Sequence, residues 1–130
     1  MGFESGDDTI LKRLNKKFTT DDVRRISAIL GNYEISRMGF LLMGGPGETR
    51  KSVEKSLAYA DMLKTEAMKI TCGIRIYPHT ALSEIAITEG VVKPDNNLLM
   101  PVSYMADGLD GWIQDTVKTW AKDRPGWITA

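Results

Sequence analysis

The chain has 130 residues, 42% hydrophobic and 26% charged, the balance of one folded globular domain rather than a disordered segment. Seventeen Lys and Arg offset seventeen Asp and Glu, which excludes nucleic-acid or anionic-membrane binding driven by bulk charge. No apolar run approaches the roughly 18–20 residues of a membrane span, and a lone cysteine, Cys72, excludes an internal disulfide and any cluster held by several thiolates of this chain. A cytoplasmic protein is the expectation.

In chain order, Gly2-Phe3-Glu4-Ser5-Gly6 reads as the end of a strand entering a loop. A short helix is expected after Asp7-Asp8, with Ile10, Leu11 and Leu14 at helical spacing and an aspartate as its cap. A second opens at Thr19-Thr20, where Asp21 and Asp22 suit the positive end of the helix dipole. Its apolar face is Val23, Ile26, Ile29 and Leu30, and Gly31-Asn32 should supply a left-handed stop. Met38 to Met43 is continuously apolar, as a strand buried on both faces would be. A third helix is expected from Thr49 to about Thr65, with Val53, Leu57 and Ala60 inward.

Met68 to Tyr77 alternates and reads as one strand, with Met68, Ile70, Cys72, Ile74 and Ile76 on one side. Cys72 fits there as a small core hydrophobe. The other side carries Lys69, Thr71, Gly73, Arg75 and Tyr77. A fourth helix follows from Thr80 to Glu89, around Leu82, Ile85 and Ala86, with Gly90 as its stop. Beyond a turn at Pro94-Asp95-Asn96-Asn97 lies an apolar extended stretch, Leu98 to Val102. A last amphipathic helix carries Leu109, Trp112, Ile113, Val117 and Trp120 on one face. Strands alternating with helices are the signature of an α/β fold with a parallel sheet, its crossover helices on one or both faces.

The sharpest local feature is Gly44-Gly45-Pro46-Gly47-Glu48-Thr49, between a strand and a helix. Glycines there let backbone N–H groups approach a ligand. A Walker A loop fails, because Lys51-Ser52 follows Arg50 and not Gly; the dinucleotide fingerprint fails too, because Arg50 stands where its last glycine belongs. A plain strand-to-helix turn capped by Thr49 is the alternative. Glu4-Ser5-Gly6-Asp7-Asp8 ends another strand, and ligand sites of parallel α/β folds lie at that end. Two such loops, each with small residues and a carboxylate, would then face one pocket. Arg75 is either a fork-shaped partner for a carboxylate or phosphate, or a solvated edge residue. His79, the only histidine, lies in the loop after Tyr77-Pro78 and reads first as a surface residue. Lys12, Arg13, Lys16, Lys17, Arg24 and Arg25 form a basic stretch, mostly a solvated face, from which one residue could reach an anionic ligand.

Taken in order, Gly2 to Lys12, Asn15 to Thr19, Gly39 to Thr49, and Tyr77-Pro78-His79-Thr80 with Glu89-Gly90 resemble the second half of a radical S-adenosylmethionine (SAM) domain. The resemblance covers residues 2–93 and implies the fourth to sixth strand–helix units of a partial TIM-like (β/α)6 barrel, with residues 1–93 as half-barrel and residues 94–130 as an extension ending in an amphipathic helix. Leu98 to Tyr104 and the Trp-rich tail resemble the cobalamin-binding branch, which includes anaerobic Mg-protoporphyrin IX monomethyl ester oxidative cyclases. The implied cofactor contacts are Glu4 and Ser5 to the ribose and methionyl part of SAM, and Lys16 to its carboxylate. Gly44, Gly45, Pro46 and Glu48 would line the adenine side, with Ile76 and Tyr77 as the last strand's contact. Arg75 and His79 are the substrate-facing candidates; relatives usually have Gly where His79 stands. The family's C-x-x-x-C-x-x-C loop for a [4Fe–4S] cluster is not in this chain. The resemblance therefore implies a C-terminal part of a longer oxidoreductase, inactive without the N-terminal part that carries the cluster, and with cobalamin sought in the parent. A self-contained, non-enzymatic module that dimerises through an exposed sheet is the rival reading; a small-molecule transferase using SAM without iron is a second.

Overall fold

The computed structural model describes residues 1–130. The first strand, β1 (Gly2–Glu4), leads into α1 (Asp8–Arg13), and Asp7 caps that helix by accepting from the backbone N–H of Thr9 and Ile10. The next helix, α2 (Thr20–Asn32), starts in a capping box between Thr19 and Asp22. It runs straight through the expected stop. The left-handed residue is Glu34, at φ 55°, and Gly31 serves a different end: a Cβ there would lie 2.9 Å from the Arg37 guanidinium. That guanidinium donates to the Ser27 carbonyl at 3.0 Å and the Lys64 carbonyl at 3.0 Å, and pairs with Glu66 at 3.0 Å. Arg37 thus ties α2 to the segment entering the third strand.

Strand β2 (Met38–Met43) and helix α3 (Arg50–Leu63) follow, the helix opening in a Thr49/Ser52 capping box and closing at Lys64 in the left-handed region. The alternating segment does not remain one strand. It divides into β3 (Ala67–Cys72) and β4 (Ile74–Arg75) at Gly73, whose φ is +89°. A positive φ turns the chain out of the sheet, and β4 pairs antiparallel with β5 (Ser103–Tyr104). Between them α4 (Ala81–Thr88) opens in a Thr80/Ser83 capping box. In the apolar extended stretch Leu99 and Met100 are each 79% exposed, and Leu98 turns inward. The tail also differs from expectation. It does not end in helix α5 (Trp112–Ala121) but returns through Pro125-Gly126 as a strand, β6 (Trp127–Thr129).

The architecture is α/β, with four parallel strands in the order β1-β2-β3-β6. The order never reverses. Right-handed crossovers that always step in the same direction lay every helix on the same face of the sheet, and strand burial agrees. Phe3, Leu41, Met43, Met68 and Ile70 are at most 2% exposed and form the core with Val53 and Leu57 of α3 and Ile113 and Val117 of α5. On the opposite face Phe40 is 40% exposed and Ile128 51%. Helix α2 is half-covered as well: Val23 and Ser27 are buried, whereas Ile26 and Ile29, expected to face inward, stand more than half exposed.

Candidate functional site

Because all four strands run the same way, the loops leaving β1, β2 and β3 share one rim of the sheet. Three close approaches join them. A Cβ on Gly44 would meet the Met105 sulfur at 2.6 Å and the Gly73 amide nitrogen at 3.3 Å. One on Gly45 would meet Ile74 at 2.8 Å and Leu14 at 3.8 Å, and one on Gly47 would strike the Arg13 guanidinium. The β2 loop therefore sits between the end of α1 and the start of β4, and its glycines let the backbones approach.

On the β1 loop, Glu4 has a left-handed backbone (φ 66°), and its carboxylate pairs with Lys16 at 2.6 Å. The two side chains are 25% and 28% exposed, so the pair borders solvent. Ser5 is turned inward, 1% exposed. Its hydroxyl lies 3.2 Å from that of Ser56 on α3 and accepts from the Asp7 amide at 3.1 Å. Gly6 N–H donates to the Ser56 hydroxyl at 2.9 Å. These bonds occupy Ser5 within the protein and lock the β1 loop onto α3. Burial pushes the Asp7 carboxyl up, but the Lys55 ammonium at 3.0 Å and the Thr9 and Ile10 amides outweigh it and leave it below the ordinary value.

On the β2 loop, Glu48 is 5% exposed and accepts from the Gly44 and Gly45 amides, the second at 3.2 Å. Burial raises its pKa; the two amides and the Ser52 hydroxyl oppose that without cancelling it. The amide nest that could greet a phosphate is therefore filled by the loop's own carboxylate. A phosphate would need to displace Glu48 from these amides.

Beyond β3, the Ile76 side chain is buried and its N–H donates to the Val102 carbonyl at 2.8 Å. Tyr77 is 54% exposed, and the Arg75 guanidinium lies over its ring at 5.0 Å from the centroid. His79 is exposed in a left-handed conformation. Along the rim Glu4 and Lys16 pair with each other, the Gly44–Glu48 turn meets Leu14 and Arg13 at the end of α1, and Arg75 and Tyr77 stack on each other at the outgoing strand. Ser5 and Ile76 are structural supports beneath it. Sequence reasoning missed Ser56, which lies on the helical period of Val53 and Ala60, a mark of a buried position but not of its hydroxyl's partner; Arg13, read there within the basic stretch, lies against Gly47.

The Glu4–Lys16 pair sets a carboxylate beside an ammonium, both part-exposed. Cys72, the single thiol, is half-buried in β3 with its pKa raised by burial, and no three His, Cys, Asp or Glu side chains gather as a metal site. The chain's residues do not fit a [4Fe–4S] cluster. No family profile matches the chain, and no curated protein matches it.

Proposed function

We propose that the chain is half of a TIM-like radical SAM barrel, contributing part of a SAM site and catalytically silent until complementary strands that carry the iron–sulfur cluster complete it. What supports this reading is the unreversed strand order, with α3 and α5 packed on the face of the sheet that carries the core. A singly wound parallel sheet is a run of barrel staves, whose bare face becomes the lumen. A doubly wound fold would reverse its order and cover both faces. Three loops leave one rim of the sheet, one carrying the Glu4–Lys16 pair and one the Gly44-Gly45-Pro46 turn, and a zwitterionic tail joined to a flat base is the ligand this reading assigns to them.

In that complex Lys16 and Glu4 would part from each other to hold the methionyl carboxylate and amino group, and the Gly44–Glu48 turn would border the adenine. Tyr77 would close the far side. Lys16 supplies a point charge and not a bidentate fork, so it would hold the carboxylate without fixing its orientation. Bound SAM would supply hydrogen-atom abstraction from a small-molecule substrate once reduced by a cluster held elsewhere. Oxidative-cyclase chemistry is the branch we favour, on the resemblance of residues 98–104 and the tail, with cobalamin then bound by the parent enzyme.

Amide NMR during titration with SAM tests the reading. Shifts should cluster at Glu4, Lys16, Gly44, Gly45, Glu48 and Tyr77, and Lys16→Met should weaken them with little loss of stability, since part-exposed pairs contribute roughly 0–1 kcal/mol. Shifts that are absent at the rim, or centred elsewhere, would overturn it. The rival, a module that dimerises through its sheet, draws on the exposed Phe40 and Ile128 and the unpaired outer edge of β1. A dimer whose interface protects those residues, with no SAM response, would favour it.

A further inference from the structure

Two Asp-Gly pairs stand in the connection from β5 to α5, Asp107-Gly108 and Asp110-Gly111. All four residues are exposed, and a Cβ on either glycine would meet nothing within 4 Å. A glycine offers its amide nitrogen with no side chain to screen it. The two pairs differ in geometry. Gly111 N–H donates to the Asp110 carboxylate at 3.0 Å and to no other acceptor. The Gln114 side-chain amide donates to the same oxygen at 3.4 Å, which keeps that carboxylate turned along the chain toward Gly111. No hydrogen bond joins Gly108 N–H to the Asp107 carboxylate, and the Gly108 carbonyl is tied to Arg50 of α3 at 3.3 Å.

We infer that Asp110-Gly111 is a covalent modification site, where the folded chain isomerises to isoaspartate ahead of the identical dipeptide at Asp107, whatever the rim binds. In the first step the Gly111 nitrogen bonds to the side-chain carboxyl carbon of Asp110 in its acid form. The amide hydrogen and the carboxyl hydroxyl leave together as water, and a five-membered succinimide remains. A second water opens the ring. Opening at the main-chain carbonyl frees that group as a carboxylate and routes the chain through the side-chain carbon, so mass is unchanged and no oxidant is consumed. Ring closure is unimolecular, and its rate follows how often nitrogen and carbon are held together. The 3.0 Å bond holds them in one pair and not in the other. The product alters the start of α5. One added main-chain carbon enters beneath the bond from the Ile113 amide to the Leu109 carbonyl, 2.8 Å long. Trp112 N–H donates at 2.8 Å to the Asp110 main-chain carbonyl, the group that the reaction removes from the chain. With both bonds disturbed, the first turn of α5 should fray.

Ageing the whole chain at neutral pH, folded and in urea, tests the inference by peptide mapping with electron-transfer fragmentation, which tells isoaspartate from aspartate at equal mass. In the folded chain isoaspartate should form about tenfold faster at Asp110 than at Asp107, a small part of what held proximity can supply. In urea the two rates should converge, because the dipeptides are the same. The aged folded chain should also show a lowered denaturation midpoint. Asp110→Glu should abolish both the product and that fall, since its six-membered imide closes far more slowly. Three results overturn the inference: rates in the folded chain that are equal or favour Asp107, an excess at Asp110 that persists in urea, or no isoaspartate at Asp110 over the time in which the unfolded chain forms it.

Discussion

Replacing Glu48 by Gln and by Ala separates two effects that the native side chain combines. The carboxylate satisfies the Gly44 and Gly45 amides, and it does so almost fully removed from solvent. Glu48→Gln keeps an acceptor oxygen and removes the charge; Glu48→Ala removes both. Leaving one buried amide without a partner costs about 1–3 kcal/mol, and each lost buried methylene about 0.8 kcal/mol. Water reaching the rim would re-solvate one of the two amides, so Glu48→Ala should be less stable than Glu48→Gln by roughly 2–4 kcal/mol. The charge shows itself in pH dependence. Glu48 has a folded pKa above its ordinary 4.5, so its contribution to stability is fully present below that value and is lost as pH rises through the folded pKa. The Gln variant has no such loss. Urea denaturation of both proteins from pH 4 to pH 8 should therefore give a stability difference that moves in favour of Gln as pH rises from about 4.5. Taking the difference cancels Asp61 and Glu66, whose depressed pKa values act in the opposite direction. A flat difference, or one that moves toward the native protein, would refute the claim that burial dominates at this carboxylate.

Two further substitutions probe what holds the rim and the last strand. Gly6→Ala would place a Cβ 2.6 Å from the Tyr59 Cβ and 2.9 Å from the Ser56 Cα, where helical backbone cannot yield; about 1–3 kcal/mol of destabilisation should appear in the denaturation midpoint, and an unchanged midpoint would count against the lock. Trp127→Ala should cost about 3 kcal/mol, because the ring stacks on Trp120 at 6.2 Å with Arg124 over both rings. Hydrogen exchange at the Met68 amide, which donates to the Gly126 carbonyl at 2.9 Å, should quicken as β6 loosens; unaltered protection would show that β6 does not depend on the indole pair.

What the sequence makes legible here follows the range of each interaction. Thr19, Thr49 and Thr80 open their helices because a cap and its partner are three residues apart. The Met38–Met43 strand needs only its own apolar run. Strand β6 is three residues long, too short for a period, and its place beside β3 depends on Trp120 and Trp127 meeting across a turn. Gly31 looks like a stop and is instead room for Arg37, six residues on. Ile26 and Ile29 mark an apolar face, yet periodicity says only that a face would be stabilised by cover. On the rim, the Gly44–Glu48 loop is visible as a loop, whereas the direction in which Glu48 turns is fixed by packing that no spacing encodes.

The strand order constrains function more tightly than any one loop does. A doubly wound sheet makes its ligand crevice where neighbouring loops diverge, at the point of reversal. With the order β1-β2-β3-β6 there is no such point, so the loops fan outward on one side and no adjacent pair encloses a crevice. The surface that remains lies along the bare face and at the outer edge of β1, which is unpaired. The apolar cleft beside that edge, about 180 Å³ between Phe3, Phe18, Val23 and Ile26, points to the same place. The apolar surfaces left bare in this chain are the cleft at β1, the exposed side of α2, and Phe40 and Ile128 on the uncovered face of the sheet.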